Sequence, residues 1–140
     1  MSTPRLANAT FVDTSGWYAL LIERDRNHIL AVRQFRSLAA ERRRLVLTNY
    51  VLSETYTLLR VRRGADAGMQ FLQRVRATST VMKVRVEEDW EAKAEAFLTK
   101  FREHELSYTD ATSFIAMKEL GLTDVMTFDS DFTIAGFQTL

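Results

Sequence analysis

The chain has 140 residues, 46% of them hydrophobic and 26% charged, with a formal net charge of +1. These are the length and composition of one globular domain able to bury a real core, here taken as residues 1–140 with a loose start over residues 1–8. Zero cysteine excludes disulfides and thiolate chemistry, and His28 and His104 alone are too few nitrogen donors for an ordinary zinc site. No apolar run is as long as a membrane span and no secretory-type leader is present, so a cytoplasmic protein without membrane contact is expected.

Along the chain, short β-branched runs alternate with longer segments of helical period. Thr10-Phe11-Val12 predicts a buried strand, and Thr14-Ser15-Gly16 its turn into a helix over Trp17 to Ile22. Asn27 is placed to cap a second helix, in which Ile29, Val32, Phe35 and Leu38 lie at helical spacing. Arg42 to Arg44 lead into strand Leu45-Val46-Leu47, and Asn49 is placed to cap a helix that runs to about Arg63, where Gly64 fits a C-terminal cap. A helix over Ala65 to Arg76 and a strand over Thr80 to Val84 follow. Glu87, Glu88 and Asp89 crowd the start of the next helix, where the macrodipole favours acids, and Trp90, Ala94, Phe97, Leu98 and Phe101 form its apolar stripe. The last long helix, Tyr108 to Leu120, stops at Gly121; strand Asp124 to Thr127 and an edge piece near Phe137 close the chain. Such alternation predicts a parallel sheet covered by helices.

Four acids interrupt this apolar pattern. Asp13 ends the first strand, Asp129 follows the run Val125 to Phe128, Glu54 shares a helical stripe with Tyr50, Val51, Leu58 and Val61, and Asp110 shares one with Phe114 and Met117. Burying a carboxylate costs several kcal/mol without compensation. In a parallel α/β sheet, ligands gather at the carboxyl ends of the strands, and these acids are expected to meet at that rim. A divalent metal with hard oxygen ligands would compensate all four. Each acid also has an ordinary reading: an Asx turn at Asp13, a capping box from Ser107 to Asp110, a loop acid at Asp129, and a solvent-reaching edge residue at Glu54. The near-neutral charge makes no case for nucleic acid; the Arg42–Arg44 and Arg60, Arg62, Arg63 clusters suit phosphate but equally suit solvated helix ends.

The motifs Phe11-Val12-Asp13-Thr14-Ser15, Leu52-Ser53-Glu54-Thr55, Ser107-Tyr108-Thr109-Asp110-Ala111 and Thr127-Phe128-Asp129-Ser130-Asp131-Phe132, in this order and spacing, resemble PIN domains, particularly the small stand-alone ribonucleases of the VapC toxin type. The resemblance implies a three-layer α/β/α fold with a parallel sheet of four or five strands. It implies RNA as substrate, a Mg²⁺ or Mn²⁺ site, and hydrolysis by water made acidic at that metal. Asp13, Glu54, Asp110 and Asp129 fall on the family's acidic positions. Asp13, Asp110 and Asp129 are the expected metal ligands and Glu54 the group orienting water; Thr127 and Asp131 match supporting positions, and Arg60, Arg62 or Arg63 would touch phosphates. A second copy and an antitoxin protein are the implied partners. Two rivals remain: a non-catalytic interaction module presenting Trp17/Tyr18 and Phe35/Leu38, and an aspartyl-phosphate phosphatase, for which Ser15 stands where a second acid is needed.

Overall fold

The computed structural model describes residues 5–140. Its centre is a five-stranded, wholly parallel sheet of β1 (Ala9–Val12), β2 (Arg44–Thr48), β3 (Val81–Val84), β4 (Asp124–Met126) and β5 (Gln138–Thr139), in the order β3-β2-β1-β4-β5. Every residue of β1 is buried, as a parallel strand covered on both faces requires. One helical group comprises α1 (Thr14–Leu21), α2 (His28–Ala40), α3 (Asn49–Arg63) and α4 (Ala65–Ala77); the other comprises α5 (Glu88–Lys100), α6 (Tyr108–Leu120) and α7 (Asp131–Ile134). The architecture is the expected three-layer α/β/α arrangement. No helix among the described residues is long and apolar enough to cross a membrane.

Helix α6 is buried without interruption from Ala111 to Met117, because it packs against α5, α7, α3 and β2. Phe114 sits at its centre, with rings from Phe97, Phe132 and Phe137 around it. Gly121 ends this helix in the left-handed region (φ 72°), and Leu122 N–H then closes onto Met117 O at 2.8 Å. Gly16 has a different reason. A Cβ there would lie 2.4 Å from Met126 O, so α1 reaches β4 this closely only with glycine in place.

Several local expectations change. Thr48, not Asn49, caps α3, accepting from Val51 N–H; Asn49 Oδ1 instead accepts from Val86 N–H at 2.7 Å and ties α3 to the segment after β3. Asn27 precedes α2 without a side-chain cap bond. The loose start expected for residues 1–8 lies partly outside the described residues. Within the described residues, Leu6 N–H bonds Leu120 O at 2.9 Å, and the Asn8 side chain donates to Arg42 O at 3.1 Å, so residues 6–8 are tied down. Helix α7 has no counterpart in the sequence reading; Phe132 anchors it fully buried. Trp17 and Leu38 are core residues, leaving Phe35 as the exposed member of the surfaces assigned to an interaction module.

Candidate active site

Strands β1 and β4 are hydrogen-bonded neighbours that run in the same direction, so the residues after Val12 and Met126 emerge side by side. Asp13 is the first of them. It is 6% exposed and caps α1: Oδ1 accepts from Gly16 N–H at 3.0 Å and from Ser15 Oγ–H at 2.8 Å. Its Oδ2 accepts from Thr127 Oγ–H at 2.7 Å. The expected side-chain bond to the backbone is a helix cap reaching the third amide on and not an Asx turn, and it coexists with burial at one residue. Burial pushes its pKa up from 3.8 to about 6, against the opposing pull of the Gly16, Thr127 and Ser15 donors, and the charge of Asp129 adds to the rise.

The loop after β4 is built on hydroxyls. Thr127 Oγ1 also accepts from Asp129 N–H at 3.0 Å, and Ser15 Oγ accepts from Phe128 N–H at 2.9 Å. Asp129 Oδ1 in turn accepts from Asp131 N–H at 2.9 Å. These bonds turn Asp129 and Asp131 back toward the start of α6. There Asp110 N–H donates to Ser107 Oγ at 3.0 Å, one half of the expected capping box. The half-buried Asp110 has its pKa raised to about 7, first by desolvation, then by Asp129, with smaller repulsion from Asp13 and Glu54 and an opposing bond from Ser107. Asp131 is raised as well, by desolvation and by its neighbour Asp129, with His104 acting in the opposite direction.

Asp110, Asp129 and Asp131 each offer a carboxylate oxygen within 4.8 Å of the others. This trio holds Asp131, expected only as a supporting acid, while Asp13 lies beside it with both oxygens already hydrogen-bonded. Glu54 departs most from expectation. The buried stripe of α3 is Val51, Thr55 and Leu59, one residue out of register with the expected face, so Glu54 is exposed and in the second turn. It lines an open groove with Tyr50, Leu58 and Thr109, and its charge still reaches Asp110. Thr55, on the buried face, donates to Thr14 Oγ1 at 3.2 Å. Ser15 is the contributor missed from sequence: its hydroxyl links Asp13 to the Phe128 amide, and its position two residues after a strand-ending Asp was the available signal.

The arginines divide. Arg43 is structural, donating to Thr10 Oγ1 at 2.9 Å and Ala9 O at 3.1 Å and pairing with Asp124 at 3.4 Å, at the start of the strands and so at the opposite end of the sheet from Asp13. Arg60, Arg62 and Arg63 are exposed on the last turn of α3, with Arg62 over the Tyr18 ring at 5.5 Å.

A parallel α/β/α sheet with acids clustered where the adjacent strands β1 and β4 end and α6 begins defines a class, and residues 10–138 match the PIN domain family. The chain belongs to that family. Over 128 residues it is 40% identical to the 23S rRNA-specific endonuclease VapC20 of Mycobacterium tuberculosis, covering 91% of this chain and 94% of that protein. A VapC ribonuclease of Archaeoglobus fulgidus is 30% identical over 129 residues, covering 90% and 80%. The crystal structure of Mycobacterium tuberculosis VapC20, described as a Sarcin-Ricin loop cleaving toxin, superposes with a TM-score of 0.84 at 36% identity, covering 92% of this chain and 96% of that one. FitAcB from Neisseria gonorrhoeae shares the fold, with a TM-score of 0.67 at 15% identity.

Proposed function

We propose that this protein is a metal-dependent endoribonuclease, the toxin of a toxin–antitoxin pair, which hydrolyses RNA phosphodiester bonds at the acids of the β1–β4 rim. The observation that carries the reading is the convergence of Asp110, Asp129 and Asp131 beside the buried Asp13. These carboxylates are buried or half-buried and crowded, and the raised pKa values of Asp13 and Asp110 record first the cost of desolvation and then their mutual repulsion. A hard divalent cation removes it. The donors are all carboxylate oxygens, which fits Mg²⁺ or Mn²⁺ and not a softer metal.

Asp110 and Asp129, with Asp13 or Asp131, would hold the ion. When bound, it supplies Lewis-acid stabilisation of the phosphate and a water acidic enough to attack near neutral pH. Asp13, gripped by three donors, holds its carboxylate in one orientation. Thr127 and Ser15 fix that orientation and the loop carrying Asp129. Glu54, exposed in the groove beside the acids, would orient water or take the proton released on attack. The substrate of the VapC20 relative makes a loop of 23S ribosomal RNA the first RNA to test.

An apolar cavity of about 260 Å³, lined by Trp17, Phe35, Phe71 and Val75 with Arg74 among its walls, gives an antitoxin segment a place to bind. The exposed Ile29 and Leu30 on α2 give a second copy of the chain a contact surface. The deciding experiment is cleavage of end-labelled RNA by purified wild type and Asp129→Asn in Mg²⁺ or Mn²⁺. Metal-dependent cutting by wild type alone is expected; equal cutting by both proteins, or none by wild type, overturns the proposal.

A further inference from the structure

A groove of about 580 Å³ runs beside the acids along α3. Thr14 and Thr109, the neighbours of Asp13 and Asp110, form its end at the acidic rim, so the groove and the acids are continuous. Its other walls are unlike a phosphate site. Tyr50, Leu58 and Val61 supply an aromatic and apolar surface, and Val61 is 77% exposed although nothing in the fold calls for an apolar residue there.

Tyr50 is held rigidly. Its hydroxyl bonds Glu91, and its ring lies against Tyr108 with centroids 5.6 Å apart. Tyr108 is itself fixed by a 2.9 Å bond from its hydroxyl to Glu95. Tyr50, anchored to α5 and backed by Tyr108, thus forms a fixed aromatic wall, while Ser53 and Thr57 add hydroxyls along the groove. A planar ring with a polar edge matches such a lining; a bare phosphate, facing Glu54 and no cation, does not.

We propose that this groove is a subsite for one unstacked nucleobase of the RNA, next to the phosphate that meets the acids. The proposal rests on the ribonuclease reading and adds a recognition element to it. Unpaired bases stack readily on aromatic side chains, and the contact tolerates any base because each has a π-face. The subsite therefore favours single-stranded or looped RNA over a duplex, in which no base is free to enter.

The test measures binding in the Asp129→Asn protein, so that base recognition is found or lost independently of cutting. The probes are a single-stranded RNA hexamer and the same hexamer with one abasic ribose walked through its positions. At one position, loss of the base should weaken binding about tenfold. Tyr50→Leu should erase that position effect, and Tyr50→Phe, which keeps the ring, should preserve it. Val61→Asn, a surface change harmless to folding, should reduce the effect about threefold, and it decides the matter should Tyr50→Leu fail to fold. In otherwise wild-type, metal-loaded protein the Tyr50 change should raise KM for a cleavable hexamer far more than it lowers kcat. No base-sensitive position, or one that survives Tyr50→Leu in natively folded protein or remains unchanged in Val61→Asn, overturns the subsite. Failure of the ribonuclease reading shows separately, as RNA left intact by wild type in Mg²⁺ and Mn²⁺.

Discussion

Thr127 donates its hydroxyl hydrogen to Asp13 Oδ2 at 2.7 Å across 114 positions of sequence, and its oxygen accepts the Asp129 amide at 3.0 Å. One side chain thus sets the orientation of an acid after β1 and of the loop after β4. Thr127→Val keeps the shape and removes both bonds. It should cost about 1–3 kcal/mol of stability, because buried partners are left unpaired. It should also lower cleavage at least tenfold, with Thr127→Ser restoring most of both. Chemical denaturation and initial rates check this; wild-type stability in the valine variant would contradict the assigned role.

Asp13→Asn keeps an acceptor oxygen for Gly16 and Ser15 and removes a charge that the fold holds at a cost. Cleavage should disappear. In metal-free buffer at pH 7.5 the variant should melt above wild type, and the difference should vanish near pH 4, where Asp13 is protonated in the native state. Melting curves at the two pH values test this, and a variant less stable than wild type at pH 7.5 would contradict it.

The raised acids set the sign of the pH dependence. Asp13 and Asp110 titrate near 6 and 7 in the native protein against 3.8 unfolded, so between those values the native state binds more protons. Stability of the metal-free protein therefore falls as pH rises from about 4 to about 7, with Asp13 alone accounting for about 3 kcal/mol. The loss is complete above the native pKa values and absent below the unfolded one. Denaturant midpoints that rise across this window would refute it.

Mg²⁺ or Mn²⁺ should raise the melting temperature, by an amount equivalent to about 2.7 kcal/mol at a hundredfold excess over the dissociation constant. The gain should be larger at pH 8 than at pH 5.5, because protons and metal compete for the same carboxylates. Asp131→Asn should weaken the gain. A melting temperature indifferent to both metals would argue against a metal site.

Glu54→Gln separates chemistry from binding. The residue is exposed and lies outside the Asp110, Asp129, Asp131 trio, so fold and metal stabilisation should stay near wild type while cleavage falls at least a hundredfold. Induced wild type should slow bacterial growth and Glu54→Gln should not. Equal toxicity of the two would remove Glu54 from the chemistry.

The sheet and long helices were legible because periodicity there is strong: α6 matches its expected span of Tyr108–Leu120, and four strands fall within a residue or two of expectation. The errors have local causes. The register of α3 does not follow its apolar residues, because its buried face includes Thr55, a polar residue made acceptable inside by its bond to Thr14, while the apolar Val61 is outside. The place of Asp131 in the acidic trio depends on α7, a single turn fixed by the burial of Phe132, and four residues are too few for a period to show. The roles of Ser15 and Thr127 as a bridge are long-range hydrogen bonds, which no local pattern encodes. Asp13 and Asp129 were visible because a strand end followed by an acid is itself a local pattern.

The pairing of β1 with β4 brings together segments that are translated more than a hundred residues apart. A nascent chain that has not yet extruded Thr127, Asp129 and Asp131 has Asp13, Glu54 and Asp110 but no loop to complete their site. If these acids form the cutting centre proposed above, a chain that ends before Thr127 lacks part of it, and the order of translation would keep such an unfinished polypeptide inert.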